Sequence, residues 1–385
     1  MKRLFLSVIF ILGFGLFFGT NVYLSLAAEE SVIEVVEGEE EQAREGQTQS
    51  LAEDKEAESV ETRLKWEGGI DVFYDSNVFN YSNDDIDEYN GGTNPDRFKG
   101  VDSIDDMITR LYLMVRFQKE MFADSPTIFS LGVKGNIYAR NTDKSYQIFQ
   151  TSLRQKIGER RLIRIGYKFI PDYFVRTLYD PDLPAGDRFR KANFRSNSAH
   201  IKYWHRVSNN LTWWLRYVYE DKDYTDYFKE RDSSSNRVTL ALGFRPQSWI
   251  KLNPFFRYFW HDAKGEDDDA AVDVDISRDG FDTGLNTWFY PEGKFSYLIS
   301  YAFRYTDYTT SNSITDDPYH AGRDQKRHRI KGRINYGIKE NVDLFTEYTY
   351  EIRNVDIEGD DATLRQESIL GYVKHIGKVG LTVRF

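Results

Sequence analysis

Cysteine is absent from all 385 residues, so neither disulfides nor thiolate-bound metals contribute to this chain. Long apolar runs are absent as well, with one exception at residues 4–18. Beyond that stretch no run of about 18 apolar residues occurs, which excludes spanning helices. Mean hydropathy is low, −0.60. Histidine is scarce: His200, His205, His261, His320, His328 and His375 are all there are. None sits beside a Ser, Asp or Glu in a recognisable catalytic motif, and a hydrolase needs a nucleophile with a positioned base. His200 and His205 are five apart and face opposite sides of a regular strand. No enzyme activity and no cofactor are expected.

What is present begins with an export signal. Met1-Lys2-Arg3 is a basic start, residues 4–18 are the apolar core, and Ser25-Leu26-Ala27 supplies the small residues of a cleavage site near Ala27 or Ala28. Residues 1–28 therefore read as a signal peptide. Without a Cys after the apolar stretch, lipoprotein processing is excluded. Residues 29–61 carry thirteen acids against Arg44 and Lys55, with no aromatic residue. They read as an acidic, disordered or transiently helical periplasmic leader, either a solvated spacer or an arm for a partner. The net charge of −10 resides mostly there, and residues 62–385 are nearly balanced.

From residue 62 onward one unit repeats: alternating strand, short turn, alternating strand, long polar loop. Leu111, Leu113, Val115 and Phe117 share one parity, as do Leu211, Trp213, Leu215, Tyr217 and Tyr219, and Phe295, Tyr297, Ile299, Tyr301 and Phe303. A transmembrane strand needs apolar residues only at every second position, over about 9–11 residues. The 16% aromatic content suits girdles at two membrane surfaces. Short turns fall at Ile157-Gly158-Glu159-Arg160, Val207-Ser208-Asn209-Asn210, Pro246-Gln247-Ser248, Pro291-Glu292-Gly293 and Lys339-Glu340-Asn341. Long loops fall near 80–104, 171–192, 222–235, 262–275, 308–324 and 354–362, with Pro171, Pro181 and Pro184 as turn punctuation. The chain ends Leu381-Thr382-Val383-Arg384-Phe385, which resembles the terminal-strand signal of bacterial outer-membrane barrels that the assembly machinery reads. The expected fold is all-β, a transmembrane antiparallel up-and-down barrel of about fourteen strands. A hairpin hidden in 363–385 would raise the count to sixteen. The location expected is the Gram-negative bacterial outer membrane, with its lipid and lipopolysaccharide as surroundings and no nucleic-acid partner.

The opposite parity gives the interior, and it is basic. The candidates are Arg110, Arg116, Lys134, Arg164, Lys168, Lys202, Arg216, Lys251, Arg257 and Arg304, with Arg140, Arg154, Lys156 and His200 beside them. Arg327, Arg329, Lys331 and Arg333 form a comb on one strand. Asp71, Glu220, Asp282, Asp343, Glu347 and Glu351 oppose them. Two readings stay open. Paired charges and inward loops make a plugged structural or adhesive barrel, with residues 80–104 as the plug. A cationic surplus makes a pore that favours anions. The loop run Glu266-Asp267-Asp268-Asp269 lacks the spaced oxygens and Gly of a calcium loop, so no metal site is expected.

One segment carries a resemblance. Tyr74-Asp75-Ser76-Asn77-Val78-Phe79, following Gly69-Ile70-Asp71-Val72-Phe73, resembles the opening strand of the beta-barrel porin 2 family. The layout of signal, polar leader, barrel and aromatic end is similar over residues 62–385. The resemblance implies an outer-membrane pore, often one serving exopolysaccharide export, with the leader as a possible contact to an export complex. In that pattern Asp75 and Asn77 lie at the outer lip of the first strand. The acidic leader is not a defining feature of the family.

Overall fold

Strand alternation of this kind can satisfy its backbone in lipid only by closing on itself, since an open edge would leave N–H and C=O groups without partners. The computed structural model describes residues 63–122, 125–179, 189–265, 275–310, 317, 320–357 and 371–385, and these form one closed ring of antiparallel strands. The strands are β1 (Arg63–Asp75), β2 (Asp106–Phe122), β3 (Ser125–Tyr138), β4 (Tyr146–Ile157), β5 (Arg161–Tyr179), β6 (Phe189–Ser208) and β7 (Leu211–Tyr224). They continue as β8 (Ser233–Gln247), β9 (Ile250–Ala263), β10 (Arg278–Phe289), β11 (Phe295–Tyr308), β12 (Arg323–Lys339), β13 (Val342–Ile357) and β14 (Tyr372–Arg384). Fourteen strands pair in sequence order and β14 returns to β1, so the ring closes at fourteen rather than sixteen.

The junction of the two chain ends is tightly made. Trp66 and Phe385 exchange both backbone hydrogen bonds, at 3.0 and 2.8 Å, and their rings lie 5.0 Å apart. On the inner side the edge atoms of the Tyr112 ring crowd Gly69, where any Cβ would collide with them and with the Leu381 carbonyl. The Tyr112 hydroxyl thereby reaches across β1 to Thr382 Oγ1 at 2.8 Å, joining β2 to β14.

The outer surface shows where lipid sits. Leu111, Leu131, Ile165, Leu240, Phe256, Ile299, Ile330 and Val379 are exposed around the ring. Above this belt, toward the long loops, a row of tyrosines repeats one contact. Tyr74, Tyr167, Tyr217 and Tyr258 donate to Asp105, Asn197, Asn236 and Asp279 at 2.6–2.9 Å. Tyr301 and Tyr348 meet His328 and His375 at 2.9 and 2.7 Å. Each ring faces the belt while its hydroxyl meets the first polar neighbour, as at a membrane–water boundary. Outward charges begin just beyond, with Asp324, Lys326 and Asp356 joined in ion pairs. A second girdle closes the short-turn end: Trp66 with Phe385, Trp249 with Phe289, and Phe295 with Tyr336. A closed barrel with an apolar belt between two aromatic girdles is a transmembrane barrel. The chain is an outer-membrane β-barrel.

Several local expectations need correction. The long loop at 171–192 is partly strand, because β5 continues to Tyr179 and β6 starts at Phe189. Pro171 is therefore not turn punctuation: it lies within β5, exposed, where the ladder shifts register between Ile170 and Tyr173, a bulge that tolerates a missing N–H. The segment between β1 and β2 is not a plain loop. It holds helix α1 (Asn83–Gly91), started by a capping box in which Ser82 and Asp85 bond each other's backbone N–H. The signal at 1–28, the leader at 29–61, Pro181, Pro184, the acids 266–269, Glu358, Asp360 and Asp361, and the start of the last segment at 363–370 lie outside the described residues.

Candidate functional site

Because the strand period is two, each strand that shows lipid an apolar row shows the lumen the alternate row. Ile330 is 52% exposed and Lys331 beside it 5%, which marks the two faces. Arg110, Arg257, Arg304, Arg327, Arg329, Lys331 and Arg333 are buried in the interior. Arg116, Lys134, Arg164, Lys168, Lys202, Arg216 and Lys251 are inward and half-buried, as are Arg154, Lys156 and His200. Arg140 departs from the expectation. It follows the end of β3, is 61% exposed, and pairs with Asp105 at 2.9 Å on the outer lip.

The inward acids singled out by parity gather cations. Asp282 receives Arg257 at 2.9 Å and Arg304 at 2.8 Å. Glu351 accepts from Arg329 at 2.6 Å and stands 3.6 Å from Arg327. Arg237 reaches Glu220 at 3.1 Å, Lys374 reaches Asp75 at 2.8 Å and Lys378 reaches Asp71 at 3.3 Å. Near the periplasmic end Arg116 meets Glu67 at 3.2 Å, and Arg333 stands 3.6 Å from Glu347. Ring faces take up further cations: Arg333 lies 3.7 Å over Phe345, Lys202 lies 4.5 Å over Trp214 and Arg110 lies 5.2 Å over Phe73. Lys374, Lys378, Arg237, Arg353 and Lys222 belong to this wall but were not singled out from sequence. Their parity carried the signal.

Register shows more than the list does. Residues directly opposite on neighbouring strands run Arg154, Arg164, Lys202, Arg216, Thr239, Arg257, Asp282, Arg304, Arg327 and Arg353, from β4 to β13. Strands in such barrels tilt by about 35–45°, so a row perpendicular to them climbs the wall. It starts three residues from the short-turn end of β4, which closes at Ile157, and finishes four from the long-loop end of β13, at Ile357. The row is thus a rising cationic path broken by Thr239 and by Asp282. Like charges directly opposite one another weaken a sheet. Stability alone would not favour this row.

The mouth is narrowed by the segment between β1 and β2. Asn77 accepts from Tyr81 N at 2.8 Å and turns the chain inward, helped by Asn80 with φ of 53°. Val78, Phe79, Tyr81, Phe98, Val101 and Ile104 then pack on Ile108, Tyr138 and Phe174 of the inner wall. Asn80 meets Lys374 of β14 at 2.9 Å, and the Phe79 ring meets Phe174 of β5. Of the motif residues, Tyr74 marks the membrane boundary, Asp75 ends β1 facing inward, Ser76 accepts from His375 N at 2.9 Å, and Asn77, Val78 and Phe79 build the inward turn. Lys144, on the loop between β3 and β4, holds this segment from the other side. Its ammonium donates to the carbonyls of Phe174 and Val175 at 3.1 and 2.9 Å and lies 4.6 Å over Phe79. Burial, with Lys374 adding repulsion and Asp75 opposing it, brings Lys144 down to about 7.

No protein-family model and no curated protein matches the chain. The resemblance at residues 74–79 therefore stands on its own motif. Among solved structures the chain is similar to the anion-selective porin from Comamonas acidovorans, at 10% identity and a TM-score of 0.41 over 84% of this chain and 99% of that one. It is similar to the outer-membrane channel DcaP of Acinetobacter baumannii, at 9% identity and 0.47 over 84% and 97%. A bacterial polysaccharide outer-membrane secretin gives 8% identity and 0.41 over 83% and 98%. All three scores fall below 0.5, and the assignment to a closed outer-membrane barrel rests on this chain's own strand pairing and surface.

Proposed function

We propose that this chain is a porin-like outer-membrane channel that passes anionic solutes along its inner wall. The observation that carries this reading is the climbing row from Arg154 to Arg353, in which eight of ten residues standing opposite one another are cationic. A solute moving along it exchanges one cation for the next while Asp282 holds Arg257 and Arg304, and Glu351 stands beside Arg327. Acidic exopolysaccharide, a chain of repeated negative charge, is the larger cargo this path suits. Its passage requires the segment between β1 and β2 to leave the mouth.

That same segment favours a second reading, a closed structural or adhesive barrel, because it covers one side of the mouth from β14 to β5. Conductance in planar bilayers separates the two. The channel reading expects steady openings whose reversal potential favours chloride over potassium, and larger openings when residues 77–104 are replaced by a short glycine–serine turn. A folded protein that conducts neither as it stands nor after that replacement is a closed barrel.

A further inference from the structure

At the periplasmic end of the lumen the cations outnumber the acids that could meet them. Lys65 of β1 stands directly opposite Arg116 of β2. Arg116 takes Glu67 at 3.2 Å and Arg384 takes Asp343, so the inward acids nearest the entrance are engaged. Arg63 and Lys65 at the start of β1, Lys156 at the end of β4 and Arg245 near the end of β8 are joined in no ion pair among the described residues. Their neighbours Leu64, Ile157 and Phe244 are exposed on the outer face, which turns these four cations inward. β1 and β8 lie seven places apart in the ring of fourteen, so Arg63 and Arg245 flank the entrance from opposite sides.

The same end receives the acidic leader. Residues 29–61 run into β1 at Arg63, and they hold thirteen acids against Arg44 and Lys55. Glu53, Asp54, Glu56, Glu58 and Glu61 all fall within ten residues of Arg63. A fourteen-stranded ring is about 25–30 Å across, which about eight extended residues can span. The leader has thirty-three. A tether also keeps a weak ligand at an effective concentration in about the millimolar range. The opposite rim offers no such match, since the segment between β1 and β2 presents Asp84, Asp87 and Glu88 there.

We propose that the acidic leader docks on the cations of its own periplasmic entrance, where it competes with anionic solutes for Arg63, Lys65, Lys156 and Arg245. The docking goes beyond the channel reading, for it needs a basic entrance and an acidic tether but no open pore. Only the competition rests on that reading.

A zero-length carbodiimide tests the docking on the detergent-folded chain without residues 1–28, because it joins a carboxylate to a lysine only on contact. Lys65 follows the leader too closely to be informative, whereas Lys156 stands three strands away on the inner face. Lys294 and Lys339, exposed at the short-turn end, serve as references. Mass spectrometry should find leader acids joined to Lys156 about threefold more often than to either reference, and about 0.5 M salt should abolish the excess. Equal joining of the three lysines overturns the docking, as does an excess that salt leaves unchanged. Arg63→Gln with Arg245→Gln should lower the Lys156 links by about half. Links undiminished in a folded double variant also overturn it, and the wild-type distribution decides should that variant not fold. Changing the acids of residues 53–61 to their amides should raise anion conductance about twofold in about 0.1 M salt. Unchanged conductance in a conducting chain removes the competition. A chain that links Lys156 without conducting keeps the docking and loses the channel, whereas a conducting chain without those links keeps the channel alone.

Discussion

Lys144 is the residue whose ionisation bears most directly on the mouth. Two carbonyls and nearby aromatic faces replace water around its ammonium, yet burial still brings it down to about 7. Once the segment leaves, the group regains the ordinary lysine range near 10.4. Between these values the released form holds a proton that the docked form has given up, so docking strengthens as pH rises through the window. Below about 7 both forms are protonated and the dependence vanishes. The charged groups that face Lys144 are Lys374, Asp75 and Arg176. Protection factors in residues 77–104, which correct for the faster intrinsic exchange at higher pH, should show an excess gain from pH 7 to 9. Lys144→Met should remove that excess. An excess that persists in Lys144→Met would place the titrating group elsewhere. Sequence gave the interior its charges by parity, but it could not single out Lys144, which lies past the end of β3 where the period of two no longer applies.

At the level of the strand, adjacent residues have opposite solvents. Ile330→Arg puts a charge into the lipid belt and should cost about 2–4 kcal/mol of folding free energy if the site lies near the bilayer midplane. Lys331→Gln, one residue on, should leave barrel stability within about 1 kcal/mol, since the side chain stays in a polar lumen. Urea titration into lipid vesicles measures both, and equal losses would contradict the assignment of faces. Such alternation was legible because the belt tolerates few exceptions. The inward helix α1 was less so. Its Ser82-Asn83-Asp84-Asp85 start is a recognisable cap, but the acidic run that follows reads equally as a solvated loop until Arg97 is seen to pair with Asp85 and Glu88. The Pro171 bulge was hidden for a related reason: a proline signals a break in pairing without saying whether the strand resumes beyond it.

For the whole molecule the strand number, the alternation of short and long connections and the membrane belt could be read from the chain. The climbing cationic row could not, because it depends on which residues stand opposite across ten strands, and register comes from three-dimensional pairing. The meeting of Trp66 and Phe385 has a consequence of another kind. With hydrogen bonds continuous across that junction, the finished barrel carries no mark of where its polymer begins. Opening the chain at the short turn 339–342 and joining residue 385 to residue 63 through a brief linker changes the order of synthesis but none of the lateral pairings. Such a circular permutant should refold in detergent with the same β-sheet circular dichroism and the same shift in electrophoretic mobility on boiling. Failure to form that species would mean that the original order of strands is a kinetic requirement, and that the ring remembers its ends during assembly even though its final form does not.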